Sequence, residues 1–402
     1  MKKILFVEDN PILLELYGIM LTGEPHRWKV QTAASGQQAL ELMQATTFDA
    51  VVSDLEMPGM DGIQLLREVK KRSPQTARII LSGVTDQQMI AESLRDTHQF
   101  IPKPVNSKAI KATLIRINRL DAYLQNDQLK QLVASLDTLP SFPSLYIEIM
   151  QELSTEEVSI EKISEIVAKD PGMTVKILQI VNSAATGLAH KITRPAEAVQ
   201  YVGLATVRAL ALSAHVFSCF ERTELKGFSI QQLWDHAMRS AAVAQKIMRL
   251  EHAEPGQTED AYIATMLHDI GKLMLASNLP DQFQKAVNLA QEEQLPFPEA
   301  EQKVFGATHA GVGAYLLGLW GMPSTIVEAV AFHHSPGLSD TRTLEPLTAA
   351  HAANTLEHEI SGADSGDDKP VFDLDYLTAL GVQDHIENWR EHSATLLRAG
   401  NA

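Results

Sequence analysis

The sequence predicts two kinds of domain, an α/β domain with a parallel sheet followed by an all-α region. Up to about residue 120, short β-branched runs alternate with segments of helical periodicity, which is typical of a parallel sheet covered by helices. Beyond about residue 107, strand signals nearly vanish and helical segments follow one another. The 402 residues also fit two or three domains of ~150 residues each.

Five segments of the first region are predicted to be strands. They read ILFV (4–7), WKVQTA (28–33), AVVS (50–53), RIIL (78–81) and QFI (99–101), of which the second is the weakest. Between them, apolar residues recur at helical spacing, first at Ile12, Leu13, Leu16, Ile19 and Met20 and later at Ile63, Leu66 and Val69. The region therefore alternates strand and helix along its length.

The second region begins with an apolar stripe formed by Ile110, Leu114, Ile117 and Leu124. The stripe fits a long helix that enters the second domain, and it fits equally a last helix of the first domain followed by a linker. The segment LPSFP (139–143) ends any continuous helix, because it contains two prolines. Near the end, SGADSGDDKP (361–370) has the glycine and aspartate content expected of a loop.

Composition limits the partners and the compartment. A formal net charge of −16 argues against broad attraction to nucleic acid or to an anionic membrane, which requires clustered Lys and Arg. The single cysteine, Cys219, excludes an intramolecular disulfide and fits a reducing compartment. No uninterrupted apolar stretch reaches the ~18 residues needed to span a bilayer. We therefore expect a cytoplasmic protein that binds neither DNA nor membranes.

Polar side chains stand at the ends of four predicted strands of the first region. Glu8 and Asp9 follow the first strand, Asp54 the third, Ser82 the fourth and Lys103 the fifth. In an open parallel sheet, ligands bind beyond the carboxyl ends of the strands. A single acidic strand end would more simply be a solvated loop residue, but four polar ends in register predict one shared crevice.

This set of side chains suits phosphoryl chemistry. Carboxylates crowded in one crevice repel one another unless a cation lies among them, and oxygen ligands of this number suit Mg²⁺. A carboxylate can also accept a phosphoryl group as an acyl phosphate. The ammonium of Lys103 and the hydroxyl of Ser82 could then bind the equatorial phosphoryl oxygens.

Four motifs of the first region resemble the receiver domain of two-component response regulators. They are ILFVEDN, DLEMPGMDG, ILSG and IPKP, in this order and spacing. The resemblance implies a flavodoxin-like fold with a five-stranded parallel sheet in the order 2-1-3-4-5. It implies that Asp54 is phosphorylated and that Ser82 and Lys103 contact the phosphoryl group, with Phe100 as the aromatic switch residue.

The same resemblance implies a magnesium site. The implied ligands are Glu8, Asp9, Asp54 and, through its backbone carbonyl, Glu56.

Histidines recur in apolar, helical segments of the second region. The candidates for a metal site are His236, His268, Asp269, His309, His333, His334 and Asn354. The pair His268-Asp269 is predicted to lie inside an apolar helix, where a buried aspartate is costly unless it is paired or metal-bound. Imidazole and carboxylate ligands suit first-row transition metals such as Fe, Mn or Zn. Other histidines, among them His358, show no partner in the sequence and are expected to be ordinary core or surface residues.

A series of motifs in the second region resembles the HDOD domain, a relative of the HD and HD-GYP phosphohydrolases. They are LPSFPSLYIEIMQEL, IVAKDPGMTVKILQIVNSAATG, AVQYVGLATVRALAL, LHDIGK, THAGVGAYLLGLWGMP and AFHHSP. The resemblance implies an all-α domain that acts mostly as a non-catalytic signalling or scaffold module. The predicted organisation is a receiver domain at 1–120, a linker helix at 121–138, an HDOD domain at 139–356 with an HD-like part from about 230, and an acidic loop with a C-terminal helix at 357–402.

Two departures weaken the likeness to active phosphohydrolases. The Gly-Tyr-Pro signature that follows the paired histidines of cyclic-di-GMP hydrolases is replaced by Ser335-Pro336-Gly337. The late metal-binding aspartate of the superfamily corresponds to Asn354, whose amide oxygen is uncharged. Only Asp269 would then balance the charge of a dication. The histidines are therefore either a metal site or a relic of satisfied core residues.

The leading interpretation is a bacterial two-component response regulator. A histidine kinase or phosphotransfer protein phosphorylates Asp54, and the added charge, about two negative units, changes how the HDOD domain binds a downstream protein. The competing interpretation is a receiver-gated, metal-dependent phosphodiesterase that acts on a cyclic dinucleotide or nucleotide. A transcription factor is disfavoured, because no basic helix-turn-helix is evident. Receiver domains often dimerise, so a homodimer is also considered.

Overall fold

The structure is a computed structural model of the whole chain. It describes residues 2–20, 28–74, 76–82, 97–103, 158–168, 197–200, 228–319, 322–361 and 370–399, together with isolated positions between 105 and 207. The chain forms two compact units, Met1–Phe142 with Leu316–Met322, and Pro143–Tyr315 with Pro323–Ala402.

The first unit contains a parallel sheet of five strands. They are β1 (Lys2–Val7), β2 (Trp28–Ala33), β3 (Ala50–Asp54), β4 (Ala77–Ser82) and β5 (Gln99–Pro102), and they pair in the order β2-β1-β3-β4-β5. Three helices are described between them, α1 (Pro11–Met20), α2 (Gly36–Ala45) and α3 (Gly62–Arg72). The prediction of a parallel α/β domain is confirmed.

The centre of this sheet is apolar and buried. Every residue of β3 is buried, as expected for a strand in the middle of a parallel sheet. Leu5 and Val51 pack in one core with Leu66 and Val69 of α3. This core fixes the ends of β1 and β3, where the polar residues of the predicted crevice begin.

The turn after β3 brings α3 close to Asp54. A Cβ atom at Gly62 would lie 2.1 Å from the backbone oxygen of Asp54, so a larger residue would force the two apart. Asp61 caps α3, because its Oδ1 accepts a hydrogen bond from the Gln64 N–H at 2.7 Å. The turn therefore holds the backbone of Asp54 close to the N-terminus of α3, which Asp61 caps.

The described part of the second unit is almost entirely helical. The described α-helices that follow β5 in the sequence are α4 (Ile160–Ala168), α5 (Ile230–Leu250), α6 (Pro255–Leu267), α7 (Ile270–Asn278), α8 (Pro280–Glu293), α9 (Phe297–Phe305), α10 (His309–Leu319), α11 (Ser324–Phe332), α12 (Pro346–Ser361), α13 (Leu374–Ala379) and α14 (Ile386–Ala399). Short 3₁₀ turns lie at Pro336–Leu338 and Gln383–His385. The predicted all-α second region is confirmed.

The C-terminal segment belongs to the core of the second unit. Leu377, Trp389 and Leu397 pack with Val243 of α5 and Leu356 of α12. Helix α12 runs through residue 356, where the sequence suggested a domain boundary. The predicted C-terminal helix is present as α14.

The pair His268-Asp269 does not lie inside a helix, contrary to the prediction. It forms the break between α6, which ends at Leu267, and α7, which begins at Ile270. A close backbone contact accompanies the break, since a Cβ atom at Gly271 would lie 2.0 Å from the backbone oxygen of His309. The start of α7 therefore packs directly on the start of α10.

Some predictions concern residues outside the described ranges. Most of the linker helix at 121–138 and most of the loop at 361–370 fall there, as do Ile117 and Leu124 of the apolar stripe. Ile110 and Leu114 of the same stripe are buried. None of the helices that the structure describes is both long and apolar enough to cross a membrane.

Candidate functional site

The structure brings three of the predicted strand-end residues of the first unit into contact. Glu8 directly follows β1, Asp54 is the last residue of β3, and both are buried. The Lys103 Nζ atom lies 2.7 Å from Asp54 Oδ1 and 3.3 Å from Glu8 Oε2. Asp9 is exposed, and one carboxylate oxygen from each of Glu8, Asp9 and Asp54 lies within 4.8 Å of the others.

Burial and charge shape the titration of this crevice. Burial and the charge of Asp54 raise the pKa of Glu8, although Lys103 acts in the opposite direction. Burial works to lower the pKa of Lys103, but its hydrogen bond to Asp54 and the two carboxylate charges raise it. The crevice therefore keeps its cation and has an excess of negative charge that a divalent ion could balance.

For two other predicted receiver residues, Ser82 and Phe100, the structure gives the backbone position in the sheet. Ser82 pairs with Pro102, and Phe100 pairs with Ile80. Ser82 therefore lies on β4, next to the strand of Asp54, and Phe100 lies on β5, one strand further from it. Their side chains lie outside the described part of the structure. Glu56 is exposed in the turn between β3 and α3.

The predicted histidines of the second unit are supplied by separate elements. His236 lies on α5, His268-Asp269 in the break between α6 and α7, and His309 at the first position of α10. His333 caps the C-terminus of α11, directly after Phe332, and His334 is the next residue. Asn354 is buried on α12.

Two of these histidines are held by buried carboxylates. His236 Nδ1 lies 2.5 Å from Glu357 Oε2, and His309 Nδ1 lies 2.6 Å from Glu301 Oε2. Glu301 is fully buried, and its Oε2 also accepts the His309 backbone N–H at 2.9 Å. Because an ionised carboxylate only accepts hydrogen bonds, each Nδ1 carries a proton and donates it.

Two more histidines are held by backbone carbonyls. His268 Nδ1 donates to the Thr265 oxygen at 2.6 Å, and His333 Nδ1 donates to the Val330 oxygen at 2.8 Å. These acceptors also fix the proton on Nδ1. All four histidines therefore share one tautomer when neutral, with a lone pair on Nε2.

The four Nε2 atoms converge on the carboxylate of Asp269. Those of His309 and His333 lie 3.2 and 3.9 Å from Oδ1, and those of His268 and His236 lie 3.5 and 4.0 Å from Oδ2. Asp269 Oδ1 and His333 Nε2 are buried and have no hydrogen-bond partner among the described residues. Buried polar atoms without partners are rare, and a cation would suit both of these atoms.

Neighbouring Nε2 atoms in this cluster also face each other at short distances. His236 Nε2 is 3.1 Å from His268 Nε2, and His309 Nε2 is 3.0 Å from His334 Nε2. Where both rings are neutral with protonated Nδ1, two lone pairs repel at this distance. The donor set therefore fits a cation, either a proton or a metal ion.

Charge within the cluster is uneven. Burial lowers the pKa of His268 to about 4. Burial would raise the pKa of Asp269, but the charges of His268 and Lys272 hold it well below its usual range, with Lys272 Nζ 3.0 Å from Oδ2. Burial also opposes the charged form of His309, yet Glu301 raises the pKa of this histidine to about 9. A metal at this position would compete with that proton.

Asp269 is shared between two potential metal positions. One group contains Asp269, His309, His333 and His334, and the other contains His236, His268 and Asp269, with ligand atoms within 4.8 Å of one another in each. Asn354 lies on α12 one turn before Glu357.

Sequence reasoning missed Glu301, Glu357 and the position of His358. The His358 ring lies 4.6 Å from that of His236, and burial lowers the His358 pKa to about 4. Glu357 follows Asn354 by three residues, so helical periodicity could have drawn attention to it. Glu301 stands on a separate helix before His309, and no local pattern marks it.

Family models divide the chain in two. A model of the response regulator receiver domain matches residues 4–115, and a model of the HDOD domain matches residues 139–336. The chain is a receiver domain joined to an HDOD domain. The receiver domain indicates a two-component response regulator, and an HDOD output domain is consistent with signalling.

Curated relatives match parts of these two domains. An uncharacterized protein of Treponema pallidum is 26% identical over 200 residues, which are 50% of this chain and 38% of that protein. The transcriptional regulatory protein GlrR of Escherichia coli is 37% identical over 110 residues, which are 27% of this chain and 24% of that protein. The chain therefore spans less than two fifths of the length of these relatives.

Solved structures share the fold of the second region. An HDOD domain protein of unknown function from Geobacter sulfurreducens matches 69% of this chain and 93% of its own, with a TM-score of 0.54 and 20% identity. A putative phosphohydrolase from Shewanella amazonensis matches 69% of this chain and 97% of its own, with a TM-score of 0.52 and 20% identity. At this level of identity the likeness concerns the fold alone.

Proposed function

We propose that this chain is a phosphorylation-controlled regulator of the bacterial cytoplasm, in which Asp54 is the phosphoacceptor and the HDOD domain is the output. The observation that carries the proposal is the contact of Lys103 with both Asp54 and Glu8 at the carboxyl ends of three parallel strands. A carboxylate next to an ammonium and further carboxylates is suited to accept a phosphoryl group.

In the proposed reaction, an oxygen of Asp54 attacks the phosphorus of a phosphohistidine on the partner kinase or phosphotransfer protein. A P–O bond forms as the P–N bond breaks, and the partner's imidazole leaves. Mg²⁺, held by Glu8, Asp9, Asp54 and the Glu56 carbonyl, would neutralise charge on the phosphoryl oxygens. Lys103 and Ser82 bind the transferred group, and Phe100 changes position in response.

The output is proposed to be a change in the binding of a downstream protein by the HDOD domain. The added phosphoryl charge biases the receiver between two arrangements. Beryllofluoride mimics the acyl phosphate and therefore provides the activated state. We expect a protein retained on the activated chain to be lost from the unactivated chain, or the reverse.

The test combines labelling and capture. The Asp54→Asn variant should lose acyl-phosphate labelling by a phosphorylated kinase and should make capture insensitive to beryllofluoride. Asp61→Asn is the matched control, because Asp61 caps α3 through Oδ1 and asparagine keeps an oxygen that can accept the same hydrogen bond. Labelling of Asp54→Asn at the wild-type level, with unchanged partner capture, would overturn the proposal.

A second candidate function is a receiver-gated, metal-dependent phosphodiesterase on a cyclic dinucleotide or nucleotide. The convergence of four Nε2 atoms on Asp269 favours it. Asn354 in place of an aspartate and the absent Gly-Tyr-Pro signature speak for the signalling role instead. Metal analysis of the purified chain, followed by hydrolysis assays with Mn²⁺ or Fe²⁺, separates the two, because absence of turnover removes the enzyme.

A further inference from the structure

We infer that Glu301 and Glu357 are positioning residues of the HDOD metal site. They lie behind two of the histidines and supply the negative charge that the uncharged Asn354 does not supply. The inference rests on the second, metal-dependent candidate function, in which the cluster around Asp269 would hold a transition metal. It concerns how this chain compensates a dication with a single inner carboxylate.

The first observation is the matching placement of the two glutamates. Each carboxylate accepts a hydrogen bond from the Nδ1 of a histidine whose Nε2 points to Asp269, Glu301 from His309 and Glu357 from His236. A carboxylate in this position fixes the ring orientation and raises the basicity of the ligand nitrogen. The two glutamates would therefore add negative charge near a metal through His309 and His236, without binding the metal directly.

The second observation is the environment of Glu301. Its side chain is fully buried, and its Oε1 has no hydrogen-bond partner among the described residues. A buried carboxylate with an unsatisfied oxygen is costly, and a structural ion pair would gain from satisfying both oxygens. This arrangement is better explained if the Glu301 carboxylate stabilises a cation bound to Nε2 of His309.

The third observation concerns Glu357. Its Oε1 accepts a hydrogen bond from Arg239 Nε at 2.6 Å, while its Oε2 faces His236. Arg239 is partly exposed, so the carboxylate is anchored from the surface and directed inward. This orientation forces His236 to keep its proton on Nδ1 and to present Nε2 to the cluster.

Two variants separate the effect of charge from the effect of tautomer. In Glu301→Gln, the amide oxygen can accept both His309 hydrogen bonds, so the tautomer is kept and only the charge is lost. In Glu357→Gln, the amide oxygen is required by Arg239, so the amide group faces His236 and favours a proton on Nε2. We expect metal affinity to fall about tenfold in the first variant and about 100-fold in the second.

The measurement is Co²⁺ or Zn²⁺ affinity of the full chain by competition with a chelator, together with the Co²⁺ absorption spectrum and the melting temperature of the metal-free protein. Glu328→Gln is the control, because this carboxylate accepts hydrogen bonds from Ser339 and Thr341. We expect its affinity to stay within about twofold of wild type. A Glu301→Asp variant, which restores the charge on a shorter arm, should recover part of the lost affinity.

The outcomes are distinct. Unchanged affinity and Co²⁺ spectrum in both Gln variants, even with a lower melting temperature of the metal-free protein, would reduce the glutamates to structural ion pairs and overturn the inference. A wild-type chain that binds neither Co²⁺ nor Zn²⁺ would overturn the inference and the metal site together, while leaving the phosphoacceptor role of Asp54 intact.

Discussion

At Lys103, one ammonium group contacts two carboxylates at the ends of two parallel strands. Its hydrogen bond to Asp54 and its contact with Glu8 offset the repulsion that two buried anions would otherwise exert. Position 103 follows the fifth strand and is far from both carboxylates in the sequence. Lys103 therefore supplies the positive charge that the two carboxylates share.

We expect Lys103→Met to lower the free energy of unfolding by about 1–3 kcal/mol at neutral pH, because two buried carboxylates lose their cation. Addition of Mg²⁺ should restore more stability to the variant than to wild type. Thermal melts with and without Mg²⁺ measure both effects. Lys2→Met is the control, since Lys2 pairs with Asp49. Equal Mg²⁺ responses in wild type and Lys103→Met would contradict this reasoning.

His98 is expected to make the stability of the receiver domain depend on pH, because its ring is buried without a negative partner among its described contacts. Its ring is buried, and Nδ1 accepts the Arg78 backbone N–H at 3.1 Å. Burial and the charge of Arg78 hold the pKa of His98 well below its ordinary value. The folded chain therefore keeps this histidine neutral where the unfolded chain would protonate it.

Stability should decline as pH falls below about 6.5, because only the unfolded state then gains the His98 proton. The slope for this one group is at most ~1.4 kcal/mol per pH unit. His98→Asn keeps an acceptor for Arg78 and should flatten that part of the profile in urea unfolding between pH 7.5 and 5.5. His385→Asn serves as the control, since His385 is exposed. Parallel profiles for wild type and His98→Asn would refute the assignment.

At the scale of elements, α1 carries an exposed apolar stripe. Ile12 is 75% exposed, Leu16 42% and Ile19 58%, and the three lie at helical spacing. The helix begins directly after Asn10, two residues beyond Glu8, so its first turn lies beside the crevice. We therefore propose this stripe as a contact surface for a macromolecular phosphodonor.

We therefore expect Ile12→Ser and Leu16→Ser to slow phosphotransfer from a partner kinase about tenfold or more, while labelling by the small donor acetyl phosphate stays near the wild-type rate. Loss of apolar contact in the encounter explains the difference. Leu374→Ser in the second unit is a matched control, being 49% exposed. Equal loss with both donors would mean that the stripe supports the crevice itself.

The elements also show where sequence reasoning succeeds and where it ends. A parallel sheet brings the carboxyl ends of its strands to one edge, so polar residues at strand ends predict the contact of Glu8, Asp54 and Lys103. The helical domain has no such rule. The contact between His236 and Glu357 joins residues 121 positions apart. Which faces of α5 and α12 meet depends on packing that local periodicity does not determine.

The break at His268-Asp269 illustrates the same point. An apolar segment predicts a continuous helix, and nothing in the local pattern marks its interruption. The interruption accompanies the approach of Gly271 to His309, a contact between elements that the sequence alone does not align. The candidate ligands are nevertheless accessible from residue type, since histidines and an aspartate in apolar surroundings are costly without a partner.

At the scale of the whole molecule, the two proposed ion sites lie in different compact units. Hard oxygen ligands prefer Mg²⁺ in the first, and imidazoles prefer a transition metal in the second. The two sites should therefore answer to different ions and to different chelators.

We expect Zn²⁺ at 100 times its dissociation constant to stabilise the second unit by about 2.7 kcal/mol, while Mg²⁺ stabilises the first unit. Hydrogen exchange resolved by peptide measures the two units separately. His268→Ala should abolish the transition-metal response, and Asp54→Asn should weaken the Mg²⁺ response. Protection of α5 and α7 peptides by Mg²⁺ alone would contradict this division.

The close approach of Gly271 to the His309 carbonyl leaves no room for a side chain at position 271. A methyl group at position 271 would act as a wedge between two helix starts while leaving every donor atom of the cluster in the sequence. Gly271→Ala would therefore displace the candidate ligands without removing any of them. Binding of the downstream protein by this variant would show whether the partner responds to the positions of these residues or only to their presence.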